Sequence, residues 1–200
     1  MDLQFSFGHI ISLIGLIISG YLGYRYGLRY SQQKQRMEYI EKQIKEFYSP
    51  MVGIIKDIRA KGKIRYEISK ACDREWRKLT DGMSPREFES STQVDIHRKA
   101  IMDNIEYENQ QLRNQIIPAY KKMLIIFQDK LWLADPQTLK WFDKFNHFVD
   151  IWERYLLGNY FPPEIMEQVR VSENGLQPFY KELENRLEIL REQLEKGKPA

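Results

Sequence analysis

Trp141-Phe142-Asp143-Lys144-Phe145-Asn146-His147-Phe148-Val149-Asp150-Ile151-Trp152-Glu153-Arg154-Tyr155-Leu156 is the most aromatic stretch of the chain. Trp141, Phe142, Phe145, Phe148, Val149, Trp152, Tyr155 and Leu156 recur at three- and four-residue steps, the spacing that gathers one apolar stripe on a helix. Such a stripe is stable only when buried against other helices, so the stretch predicts a bundle.

Working outward, the same period continues. Toward the C-terminus, Leu176, Phe179, Leu183, Leu187, Leu190 and Leu194 stand at heptad spacing and end at Gly197. Gly158 closes the aromatic helix, Pro162-Pro163 open a short one, and Ser172-Glu173-Asn174-Gly175 reads as a turn. Toward the N-terminus, Asp135-Pro136 is a cap followed by proline at the first helical position. Ser84-Pro85-Arg86-Glu87 has the form of a capping box and predicts a long helix to about Ile117. Val94, Ile101, Ile105, Leu112 and Ile116 form its apolar face, and Pro118 kinks or restarts it. Tyr120, Met123, Leu124, Phe127 and Leu131 carry the pattern on. Ser49-Pro50 predicts another start, for a helix bearing Val52, Ile55, Ile58, Ile68, Cys72, Trp76 and Leu79, with a break at Asp81-Gly82-Met83. No run of alternating β-branched residues follows Ser31. The fold class expected is all-α: an antiparallel bundle of about five to six helices over residues 31–200, with residues 31–48 a possible stalk.

Residues 1–30 differ in character. Between Leu3 and Tyr24 there is no charged residue, and the run Gly8 to Tyr24 is densely apolar. About 20 such residues cover a bilayer core of roughly 30 Å. Aromatics flank the run, and Arg25, Arg29, Lys34 and Arg36 follow it. A cleavable signal peptide would carry its positive charge before the apolar run and a small-residue site after it. A retained single-pass transmembrane helix is therefore the expectation, with a basic flank. Positive charge after the span places residues 25–200 in the cytoplasm, the N-terminus outside, and the chain in the inner (plasma) membrane. Within the span Gly15, Ser19, Gly23 and Gly27 recur every four residues, a small-residue stripe that lets two helices approach in lipid. A second copy or another membrane protein is the partner this implies.

Composition narrows the chemistry. The chain is 42% hydrophobic and 30% charged with a net charge of +3, which excludes a disordered class. One cysteine and three histidines exclude a disulfide framework and thiolate-rich zinc sites. No phosphate-cradling glycine loop, HExxH or GxSxG pattern is present. No cofactor is expected. The charge is uneven: residues 25–79 hold 15 Lys/Arg against 7 Asp/Glu, and residues 80–200 hold 16 against 20. Lys56, Arg59, Lys61, Lys63 and Arg65 are the densest patch, suited to anionic lipid headgroups near a membrane. Nucleic acid is the lesser reading, since interleaved aromatics and a binding motif are missing.

Three residues are the first to consider for catalysis. His97 and Glu108 fall on the apolar face of the third helix, but about 16 Å apart along it, so they cannot pair with each other. Cys72 sits between Ile68 and Trp76 and reads as a small core residue. Asp143, His147 and Asp150 share a helix face, yet Lys140, Lys144 and Arg154 are interspersed, so a solvated outer face explains them better than a metal site. The functional expectation is a membrane-anchored helical scaffold, adaptor or sensor-effector that works through helix–helix contacts. The alternatives are an anchored enzyme whose site forms only in three dimensions, or an oligomeric membrane-perturbing effector.

Overall fold

A computed structural model describes the backbone of residues 2–156 and 173–197, and side chains at Leu16 and from Ser19 onward within those ranges. Every extended element among them is helical. Helix α1 (Asp2–Lys42) continues through a π-helical turn at Gln43–Tyr48 into α2 (Ser49–Thr80) without breaking direction. A short α3 (Pro85–Ser90) precedes α4 (Thr92–Gln111), which passes through a second π turn at Leu112–Ile116 into α5 (Ile117–Asp129). Helices α6 (Pro136–Leu139), α7 (Phe142–Leu156) and α8 (Gln177–Gly197) complete the chain.

The two π turns share one cause. Pro50 and Pro118 each stand two residues after a π turn. A proline ring crowds the carbonyl four residues back and offers no amide. The wider turn absorbs that crowding: Ser49 N–H bonds to the Ile44 carbonyl and Ile117 N–H to that of Leu112, five residues back in each case. The helix start expected at Ser49-Pro50 is thus a continuous rod, and the backbone runs through residue 30 equally smoothly.

The opposite correction applies at Ser91. The helix expected from Pro85 to Ile117 is interrupted there, because Ser91 is extended (ψ 110°) and its hydroxyl accepts from Val94 N–H as a new cap. Ser90 meanwhile turns its hydroxyl back onto the Arg86 carbonyl. Neighbouring hydroxyls compete with the helix for its own backbone groups, which is why the serine pair ends α3. Gly82, at φ +74°, makes the turn between α2 and α3. The Ser84 capping box and the Asp135 cap form as read from sequence. The short helix expected at Pro162-Pro163 and the stop at Gly158 lie outside the described residues.

Cross-links give the topology. Lys130 meets Glu46, and Tyr39 donates to the Trp132 carbonyl, so the α4–α5 rod runs antiparallel to the α1–α2 rod. Lys121 meets Glu153 while Phe127 meets Phe142, so α7 turns back along α5. Arg59 meets Glu184 and Gly197 touches Met37, so α8 runs antiparallel to α2 and α1. This is an up-down-up-down four-helix bundle. Phe127, fully buried, centres the core with Phe47 and Phe142 edge-on at 5.4 and 5.2 Å and Phe179 stacked at 5.9 Å. The α8 stripe from Leu176 to Leu190 is buried as its heptads predict.

Residues 31–48 join this core at their C-terminal end, where Ile40, Gln43, Phe47 and Tyr48 are buried. Among the described residues no helix is long and apolar enough to cross a membrane. The expected transmembrane helix is not supported there, because α1 from Ser19 onward carries Arg25, Arg29, Lys34 and Arg36 among its tyrosines. The apolar part of the expected span, residues 8–18, lies outside the described side chains except for Leu16.

Candidate functional site

Beyond the four-helix core, the C-terminal half of α2 pairs with α3 and α4 as a two-helix arm. Its tip is closed by the edge-on pair of Trp76 and Phe88 at 6.0 Å, with Arg98 over the Phe88 ring at 5.6 Å. Val94 is the one fully buried residue between 61 and 111. Two helices cannot cover their own apolar faces, and Ile64, Ile68, Ile96, Met102, Ile105 and Tyr107 are all exposed.

A cavity of about 340 Å³ opens at the root of the arm, where α2, the second π turn, α5, α7 and the turn before α8 meet. Ile58, Ile116, Phe148 and Trp152 contribute its apolar side. Arg59, Arg65, Glu173, Asn174 and Gln177 form its polar side. Arg59 is half-buried and fixed: its guanidinium donates to Glu184 at 2.7 Å and to Gln177 Oε1 at 3.1 Å, and lies 5.2 Å over the Tyr180 ring. Behind it runs a phenol chain. Tyr180 OH donates to Tyr120 OH at 3.1 Å, which donates to Glu173 at 3.0 Å. Burial pushes both phenols well above their ordinary pKa, so both stay protonated as donors.

A second polar cluster knits the other end of the core. Asp135 N–H donates to Tyr48 OH at 2.9 Å, and the Tyr48 and Thr138 hydroxyls share a 3.1 Å hydrogen bond. Thr138 OH also donates to Glu182 at 3.3 Å, so the Tyr48 hydroxyl must be the donor to Thr138. Asp135 caps α6 through one oxygen and pairs with Arg186 at 2.9 Å through the other. Burial raises the Tyr48 pKa as well. Arg186 Nε is buried without a hydrogen-bond partner, while the remaining groups are paired along the chain, so this cluster positions helices.

The residues singled out from sequence fall as follows. His97 is exposed, its ring nitrogen 3.2 Å from the Gln93 carbonyl of its own helix. Glu108 is half-buried in the arm and accepts from Asn104 at 3.1 Å. Cys72 is a half-buried free thiol. These three do not converge. Of the basic patch, Arg59 and Arg65 reach the cavity, Lys61 and Lys63 pair with Asp57 and Glu67 on their own helix, and Lys56 is exposed. Asp150 pairs with Arg154. Among the described residues no group of three or more His, Cys, Asp or Glu is placed to hold a metal ion. Of the small-residue stripe, Gly23 and Gly27 have open space where a Cβ would stand, and Gly15 lies in the part of α1 whose backbone alone is described.

Sequence reasoning missed the phenol chain and the cavity. Tyr120 stands at a stripe position where an aromatic reads as core, and its hydrogen-bonding partners are 53 and 60 residues away. Among the described residues the cavity lining holds one carboxylate, Glu173, which accepts from Tyr120. Comparison with protein families, with curated proteins and with solved structures finds no match.

Proposed function

We propose that this chain is a membrane-tethered helical adaptor or sensor-effector: residues 1–30 hold it in the inner membrane with the bundle cytoplasmic, and the arm engages a partner protein. The observation that carries the reading is the number of exposed apolar side chains on the arm, Ile64, Ile68, Ile96, Met102 and Ile105, at the far end of a rod that begins in the apolar N-terminal segment. Apolar side chains left uncovered in such number mark an interaction site more often than a catalytic one. The tether supports the same reading, since it raises the partner's effective concentration without new contacts. The stripe Gly15, Ser19, Gly23 and Gly27 adds a helix–helix contact within the bilayer, with a second copy or another membrane protein.

Two measurements test the proposal. The full-length chain should stay in the membrane fraction under alkaline wash, with a reporter fused at Ala200 active on the cytoplasmic side. Native-membrane capture should then compare the wild type with Ile68→Ser/Ile105→Ser, which leaves the core untouched. Proteins enriched by the wild type and lost by the variant, at equal helicity and Tm, are the expected outcome. Identical protein sets from both would remove the arm as the docking element.

A further inference from the structure

We propose that the cavity at the root of the arm is a binding site for a small ligand with one aromatic ring and one anionic group, of the aryl or heteroaryl phosphate class. The inference is independent of the adaptor reading and rests on three observations.

The first is the balance of the polar side. Arg65 has no hydrogen-bond or ion-pair partner among the described residues, and it is one of the residues that line the cavity. Asn174 likewise leaves its amide unused, and Gln177, whose oxygen already accepts from Arg59, retains its amide N–H groups. Glu173 accepts from Tyr120 through Oε1, which leaves its Oε2 and the Asn174 amide oxygen as the acceptors on this side. Unused donors therefore outnumber unused acceptors, and the strongest is a charged planar fork that matches phosphate or carboxylate geometry.

The second is the wall opposite. Phe148 and Trp152 present aromatic surface beside Ile58 and Ile116, an environment for a flat apolar body. A volume of about 340 Å³ is at the small end for a ligand pocket, room for a ring and one substituent.

The third is Gly62. It lies inside α2, where glycine is a poorer choice than alanine, and no atom approaches within 4 Å of the place its Cβ would occupy. Packing does not require a glycine there. What its missing side chain provides is space, because Gly62 lines the cavity.

The test uses the detergent-solubilised full-length chain with 4-fluorophenyl phosphate as probe, read by fluorine NMR. Saturable binding is expected, with neutral 4-fluorophenol weaker by about tenfold or more, the scale of one charge-assisted hydrogen bond. Arg65→Gln, at an exposed position, should weaken the probe by a similar factor at unchanged Tm. Gly62→Leu should abolish binding while Tm stays level or rises, and Lys56→Gln, a nearby cation outside the cavity, should bind as the wild type does. Short-chain phosphatidylglycerol added as competitor should not displace the probe; displacement would assign the site to lipid headgroups and overturn the proposal. Absence of saturable binding, or equal binding by the wild type, Arg65→Gln and Gly62→Leu, would overturn it as well.

Discussion

The phenol chain makes an asymmetric prediction. In Tyr120→Phe, the Tyr180 hydroxyl loses its acceptor while only 1% of that residue is exposed, and Glu173 loses its donor. Stranding a buried polar group costs about 1–3 kcal/mol. In Tyr180→Phe, Tyr120 keeps its bond to Glu173 and only one neutral hydrogen bond disappears, a loss of about 0.5–1.5 kcal/mol. The double variant removes the stranded hydroxyl together with its former acceptor, so its cost should fall short of the sum by about 1 kcal/mol, the scale of coupling between residues in contact. For a chain of this length the Tyr120→Phe loss corresponds to a Tm drop of roughly 2–12 °C. Urea unfolding followed by circular dichroism, with calorimetry on all four proteins, measures the cycle. Equal single-variant costs, or strict additivity, would mean that water from the adjoining cavity replaces the lost hydroxyl, and the reasoning would fail.

Other consequences are simpler to read. Phe127→Ala empties the centre of the aromatic cluster and should cost about 3–5 kcal/mol, a Tm drop of roughly 6–20 °C, whereas Ile105→Ala on the arm should cost under about 1 kcal/mol. Because burial raises the pKa of Tyr48, Tyr120 and Tyr180, their unfolded forms ionise first. Stability should be fully present below about pH 10 and fall above it, by as much as about 1.4 kcal/mol per pH unit for each phenol, with a shallower fall in Tyr120→Phe. Gly23→Ile meets open space in the folded chain, so weakened association in a transmembrane reporter assay would be due to the lost helix contact; unchanged association would make the stripe incidental. His97→Gln should leave both Tm and partner capture unaltered, since the ring faces solvent.

Local pattern in the sequence was enough for the helices, the bundle and much of the core. The aromatic period from Trp141 to Leu156 and the heptads of α8 are properties of neighbouring residues, and burial follows from them once any partner helix is present. The Ser84 box and the Asp135 cap are equally local. Two local signals were misread for a physical reason. Proline at 50 looks like a helix start and proline at 118 like a kink or a restart, but at both positions the rod continues and a π turn absorbs the ring. Conversely, the helix from Pro85 looked unbroken because its apolar face continues past Ser91, where hydroxyl–backbone competition ends α3.

The polar sites were decided only by the tertiary structure. His97 and Glu108 were drawn from a stripe inside one helix, yet the arm leaves the first in solvent and gives the second an ordinary amide partner. Arg59 and Arg65 looked like members of one basic patch, but α8 supplies Glu184 to neutralise the first, and among the described residues no carboxylate pairs with the second. That difference depends on which helix lies opposite each guanidinium, a long-range contact no spacing rule encodes. The cavity has the same origin. It is the gap left where five segments meet around a glycine, and only the assembled bundle brings them together.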